Sequence, residues 1–344
     1  MSKRVHITKF GGVDGLRIDE VDIQPPGPGE VNIAVEAIGI NRGDILLRQN
    51  RYIESPDLPS RMSYDAAARV TAVGKGVTGF QVGDKVMTIP AFLQSHYGVC
   101  GEDVNVPDYA LWPWPDAMSA EEASCVGVQY LTAYFGLGEV GGAREGDTVL
   151  LPAATGGVGL TAIEVARELG LTIIATTRST ESVDLLRQKG ADHVVVTPEE
   201  DLQAKVLEIT RGKGVRTVFD PIAGATVETS LACLEQNGTL VIYGALDPNP
   251  AQLLTTELIG KNAKITAYTV FAYVGSIGLG YEQKVDLVNE AKDFLLPRLA
   301  DGRLKPEVSR VFDLEDVAAA HTFLDEENKT GKVVLRTVHG RDAS

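Results

Sequence analysis

The chain has 344 residues, 44% hydrophobic and 23% charged, enough for two domains of ordinary globular composition. A net charge of -15 repels nucleic acid and anionic membranes, and no apolar run reaches transmembrane length, so neither is an expected partner. The three cysteines (Cys100, Cys125 and Cys233) are too few and too scattered for a disulfide framework or a metal knuckle, which points to a reducing cytoplasm.

The first 126 residues read as a β domain. Residues 1–7 alternate like a strand and lack the apolar core of a signal peptide. Alternating segments at 31–38 and 69–73 are separated by glycine and proline turns such as Pro25-Pro26-Gly27-Pro28-Gly29. Leu111-Trp112-Pro113-Trp114-Pro115 cannot be helical, and it is expected to run extended over the surface. Residues 120–134 predict one helix with Ser119 as N-cap, the hinge between domains.

From Thr148 onward strands and helices alternate. Strands are expected at 148–151, 172–177, 193–196, 215–220, 239–243 and 264–268, which fits a doubly wound parallel sheet. The central stretch is 147–170. Thr148-Val149-Leu150-Leu151 reads as a strand buried on both faces. The turn Ala153-Ala154-Thr155-Gly156-Gly157-Val158-Gly159 follows, then a helix closed by Gly170. A strand, a tight glycine turn and a helix N-terminus gather backbone N–H groups at one point, which suits a pyrophosphate. The turn reads as Ala154-x-Gly156-x-x-Gly159, a dinucleotide fingerprint with Ala for the first Gly. Further elements are expected at 285–299 (helix), 308–312 (strand), 314–325 (helix) and 332–338, a final strand returning to the first domain.

Four stretches in this order carry a family resemblance over nearly the whole chain. They are Gly39-Ile40-Asn41-Arg42-Gly43-Asp44, residues 79–86 (GFQVGDKV), Gln129-Tyr130-Leu131-Thr132-Ala133-Tyr134 and the glycine turn. The chain resembles a zinc-free medium-chain dehydrogenase/reductase of the NADPH-dependent quinone oxidoreductase branch. The resemblance implies a barrel-like, GroES-like catalytic domain (1–126 and 269–344) around a Rossmann domain (127–268). Zinc-dependent relatives need three protein ligands and an open position. Here Asn41, Tyr64-Asp65 and Val128 stand where those relatives carry Cys, His-Glu and Cys, and the four-cysteine lobe is missing, so no metal is expected.

NAD readers place an acid about 20 residues after the glycines. This second strand ends Thr176-Thr177-Arg178-Ser179, and the next acid, Glu181, lies in the following helix's first turn. Arg178 can pair with a 2′-phosphate, so NADPH is the expected cofactor. Ala154, Thr155, Gly156, Gly157, Val158 and Gly159 are expected at its pyrophosphate, and Thr177, Ser179, Ser182 and Thr197 beside Arg178. The resemblance adds Asn41, Thr132, Gly244 and Phe271 at the nicotinamide end, and Lys332 reaching a phosphate.

On the substrate side, Tyr52 matches a tyrosine that lines the quinone pocket of relatives. Its hydroxyl, on a loop, could donate to a carbonyl oxygen as charge develops there. Asn41 and Gln129 are further catalytic candidates, and Tyr64 could face the same pocket. The expected reaction is hydride transfer to a quinone or activated α,β-unsaturated carbonyl. Enoyl-thioester or alkenal reduction is the alternative, and a non-catalytic NADPH-binding protein of crystallin or RNA-binding type a further one. A metal-dependent alcohol dehydrogenase is disfavoured by the missing ligands. The resemblance also implies a homodimer through the strand edge at 264–268.

Overall fold

The computed structural model describes residues 1–325 and 330–342. The chain divides into two compact units: Met1–Val128 with Phe271–Ser344, and Gln129–Val270.

The first unit is mostly β. Strands β1 (Ser2–Ile7) and β2 (Leu16–Val21) form an antiparallel ribbon. The main strands are β3 (Glu30–Ile40), β4 (Asp65–Val73), β5 (Lys85–Thr88), β6 (Asp103–Pro107) and β7 (Leu111–Pro113). Helix α1 (Arg42–Arg48) follows β3, and the short α2 (Gln94–Tyr97) follows β5. The Trp112–Trp114 run is extended as expected, but it is not a surface strap. Leu111, Trp112 and Trp114 are all buried, and the Trp114 indole N–H donates to the Met118 carbonyl at 3.0 Å. Large aromatic area is worth more inside than over the sheet.

The single helix expected over 120–134 is two. α3 (Ala120–Ala123) starts at a Ser119–Glu122 capping box, and α4 (Gly127–Phe135) begins after a break. Two side-on contacts fix that break. A Cβ on Gly127 would sit 2.3 Å from the Thr88 carbonyl oxygen, and the Val128 N–H is taken by the Asp65 carboxylate at 2.9 Å.

The second unit is the doubly wound half. Its strands are β8 (Thr148–Leu151), β9 (Thr172–Thr177), β10 (His193–Val196), β11 (Val215–Asp220), β12 (Leu234–Ile242) and β13 (Lys264–Ala267). All pair in parallel, in the order β10-β9-β8-β11-β12-β13. Burial of Leu150, Ile174, Val195, Val218 and Leu240, one from each of five strands, forms its core. Helix α5 (Gly157–Glu168) connects β8 to β9 and ends at Gly170, whose φ of +72° only glycine adopts cheaply.

The chain then returns to the first unit. β14 (Val308–Asp313) pairs in parallel with β15 (Lys332–Arg336), and β15 pairs antiparallel with β3, Val333 opposite Ile40. The main sheet runs β14-β15-β3-β4-β5-β7, with β6 also on β3. The return strand is what brings residue 332 beside residue 41.

Candidate active site

In the second unit the glycine turn is assembled from backbone. The turn leaves β8 with Ala153 at φ +49°, and the Ala153 N–H donates to Thr176 Oγ1 at 3.2 Å. The Ala154 N–H donates to the Thr176 carbonyl at 3.0 Å, tying the turn to the end of β9. A Cβ on Gly159 would lie 2.7 Å from Ala154 backbone atoms, so that glycine allows helix and turn to touch. Gly156, the N-cap, is different: its nearest obstacle to a Cβ is the Ala153 carbonyl at 3.7 Å. Helix geometry leaves the N–H groups of Gly157, Val158 and Gly159 without intrahelical acceptors. Those donors and the helix's positive end, on the β8 side of the β8/β11 switch in strand order, fit a pyrophosphate.

Thr177, Arg178, Ser179 and Thr197 are gathered at the carboxyl ends of neighbouring strands β9 and β10. The Ser179 N–H donates to Thr177 Oγ1 at 3.1 Å, and the Thr197 N–H to the Thr177 carbonyl at 3.0 Å. Ser182 follows in the next turn, its N–H on the Ser179 carbonyl. Arg178 is exposed there. Gly244, two residues beyond β12, lies so close to Pro221 that a Cβ would meet its carbonyl oxygen at 2.7 Å. Thr132 is buried on α4. Gln129 is the first residue of this unit. Its amide packs on the turn, with Nε2 2.0 Å from where a Gly157 Cβ would be, and Thr161 Oγ1 donates to its Oε1 at 3.5 Å.

In the first unit the end of three adjacent strands carries a closed polar network. Asn41 follows β3 and caps α1, its N–H donating to Asp44 Oδ2 at 2.7 Å. Asp65 starts β4, opposite Gly39. Lys332 starts β15 and is 2% exposed; its ammonium donates to Asn41 Oδ1 at 2.5 Å and Asp65 Oδ2 at 2.8 Å. Asn41 Nδ2 also donates to Asp65 Oδ2, at 2.9 Å. Gly39 is flanked by Ser124 and the lysine stem: a Cβ there would lie 2.0 Å from the Ser124 carbonyl oxygen and 2.8 Å from Lys332 Cε. The expectation that Lys332 reaches a phosphate is therefore corrected: its cation is buried and engaged by an amide and a carboxylate. Lys332 and Asp65 form an internal ion pair there. Asp44 is fully buried, and burial pushes its carboxyl up to about 7 against the opposing pull of the Asn41 N–H and Lys332.

Tyr52 sits on better-fixed ground than a mobile loop. Its ring packs 3.1 Å from where a Gly43 Cβ would be and is half-buried. Two residues on, the buried Glu54 carboxylate accepts the Gln94 and Ser95 N–H groups of α2, both at 3.0 Å, and pins the loop. Tyr64 is buried with ring centroids 6.5 Å from Tyr52, 5.6 Å from Phe92 and 5.4 Å from Phe271. Phe271 is thus part of a first-unit aromatic cluster. Desolvation raises both phenols above their ordinary pKa, which keeps them protonated as donors. Sequence reasoning missed Asp65 and Asp44 as site residues. Asn41-Arg42-Gly43-Asp44 had the spacing of a cap and its return contact, the one available signal.

Among the described residues no three His, Cys, Asp or Glu side chains gather as metal ligands. Residues 27–116 match the alcohol dehydrogenase GroES-like domain and 157–287 the zinc-binding dehydrogenase family. A quinone oxidoreductase of Pseudomonas aeruginosa is 34% identical over 336 residues, which cover 97% of this chain and 99% of that one. The chain belongs to the zinc-free quinone oxidoreductase branch of the medium-chain dehydrogenase/reductases. Two solved structures share the fold of this chain. Escherichia coli quinone oxidoreductase complexed with NADPH is 29% identical with a TM-score of 0.86, covering 97% of this chain and 99% of that one. A 2-haloacrylate reductase is also 29% identical, with a TM-score of 0.81 over 98% of this chain and 99% of that one. The protein is an oxidoreductase with a parallel Rossmann-like sheet and a GroES-like domain, the setting for a nicotinamide cofactor. No helix among the described residues is long and apolar enough to cross a membrane.

Proposed function

We propose that this protein is an NADPH-dependent reductase that delivers hydride, without a metal, to a quinone or other activated α,β-unsaturated carbonyl. The observation that carries the cofactor half is Arg178 at the end of β9, where NAD readers need an acid. The turn at Ala153–Gly159 would hold the pyrophosphate on the N–H groups of Gly157, Val158 and Gly159. Thr177, Ser179, Ser182 and Thr197 would surround the 2′-phosphate beside Arg178. Asn41, Gln129, Thr132, Gly244 and Phe271 would line the nicotinamide end. Bound NADPH supplies the hydride from its dihydronicotinamide ring. The chain's own residues orient the partners, keep water out and support charge on the acceptor oxygen. Tyr52, protonated and fixed through Glu54, is the proposed donor to that oxygen.

Activated acrylates are the second substrate class, favoured by the likeness to a 2-haloacrylate reductase. A homodimer through the β13 edge fits the exposed Ile259 and Leu254 of the preceding segment. Light scattering at twice 36.7 kDa would support it, and the single-chain mass would refute it.

Nucleotide fluorescence titration tests the cofactor reading. NADPH should bind at least tenfold tighter than NADH, about 1.4 kcal/mol. Arg178→Ala should abolish the difference by weakening NADPH alone. Equal affinities in the unsubstituted protein would sink the reading.

A further inference from the structure

Among the buried charges of the first unit, Lys332 is set against an amide as well as a carboxylate. An ammonium has donors and no acceptor, so it can face only the oxygen of the Asn41 carboxamide. Its 2.5 Å contact with Asn41 Oδ1 therefore fixes which end of that amide is which. The other end agrees: Nδ2 faces Asp65 Oδ2 at 2.9 Å, an atom that can only accept while ionised. Turning the amide over would place an NH2 group against an ammonium and an oxygen against a carboxylate, two repulsions in a buried place. Asp65 is itself held from behind by the Val128 N–H at 2.9 Å. Gly39, which leaves space for the lysine stem, completes the fixture. The amide oxygen is used. Of the two Nδ2 hydrogens, one goes to Asp65 and the second has only a long 3.5 Å approach to the Gly39 carbonyl.

We propose that Lys332 and Asp65 are positioning residues that lock Asn41 as a hydrogen-bond donor toward an acceptor oxygen of the reacting pair. That oxygen belongs either to the nicotinamide half of the cofactor or to the substrate carbonyl. The inference rests on the reading that Asn41 lines the nicotinamide end. A purely structural clip between β3, β4 and β15 would use the same contacts, but breaking it would leave NADPH affinity and kcat unchanged in a protein that still folds.

The test compares Lys332→Arg with the double variant Lys332→Met/Asp65→Asn. Removing one partner alone would strand a buried charge and could unfold the protein; removing both leaves a neutral interior. In protein labelled with ¹⁵N at asparagine, the Asn41 side-chain pair is identified by its loss in Asn41→Ser. That pair should be sharp and protected in the unsubstituted apo protein, and shifted and exchanging in the double variant. With ligands, the double variant should lose about 10- to 100-fold in NADPH affinity or kcat, by analogy with residues that orient metal ligands from behind. Lys332→Arg, which keeps a cation and its donors, should recover most of it. A fall in NADPH affinity assigns the acceptor to the cofactor; unchanged affinity with lowered kcat assigns it to the substrate carbonyl. An unmoved Asn41 pair, or unsubstituted affinity and kcat in the double variant, overturns the proposal. Failure of the unsubstituted protein to bind NADPH would instead fail the functional reading, and the apo amide signals would still decide the orientation.

Discussion

The glycine turn of the second unit and the Asn41–Asp65–Lys332 network of the first are built in opposite ways. The turn is backbone: mostly small residues, one alanine at positive φ and a helix start, all within 153–159. The network is side chain, and it spans the chain, with Lys332 lying 291 residues from Asn41 and 267 from Asp65. Where its chain segments touch, a backbone site tolerates little added volume, and it carries no side-chain charge to balance. A buried charge network tolerates changes of shape only while its charges balance. Each kind of site should therefore fail under a different kind of substitution.

The largest effect is expected from unbalancing the network. Lys332→Met leaves Asp65 buried and unpaired and should cost about 3–5 kcal/mol of stability, read from the urea midpoint. Adding Asp65→Asn should restore much of that. A single variant as stable as the parent would mean that water reaches the carboxylate.

Asp44 probes the same region by pH. Its folded pKa is raised from 3.8 to about 7, with burial the main cause. Between those values the native carboxyl holds a proton that the unfolded chain has released. Stability should accordingly fall as pH rises through that window, by at most about 1.4 kcal/mol per unit, and level off above it. Asp44→Asn should flatten this slope. A pH series of urea midpoints with the same slope in both proteins would place the titration elsewhere.

The turn should break by volume. Gly159→Ala puts a Cβ 2.7 Å from Ala154 backbone atoms and should cost about 1–3 kcal/mol as well as nucleotide affinity. Gly156→Ala meets nothing nearer than 3.7 Å, so the fold should keep its midpoint within about 0.5 kcal/mol. Equal damage from the two would refute the division between a packing glycine and an open one.

Tyr52→Phe should act on turnover and not on the fold, with a roughly 5- to 50-fold loss in both kcat and kcat/KM. NADPH affinity should hold, and an enone should suffer more than a quinone, whose product is a stabilised aromatic diolate. An enone reduced at the parent rate would reduce Tyr52 to a pocket wall.

The same contrast explains what was readable beforehand. The six parallel strands and the turn were visible because local apolar runs and glycines write them directly. The helix break before Gly127 was not, because it depends on Thr88 and Asp65, distant in sequence. Lys332 was misread as an available cation, since nothing in Gly331-Lys332-Val333-Val334 says that Gly39 opens a slot for it. Asp44 was not singled out at all, because the burial that raises its pKa comes from tertiary packing. Trp112 and Trp114 were correctly extended, but their neighbours, and so their burial, lay outside the local pattern.

The most direct test of the account is turnover by chelator-treated, metal-analysed protein, following NADPH oxidation with a panel of quinones and enones. NADPH-dependent reduction with no stoichiometric zinc and no loss of rate on chelation is expected. Absence of turnover across the panel, or activity that disappears with the chelator and returns with zinc, would contradict it.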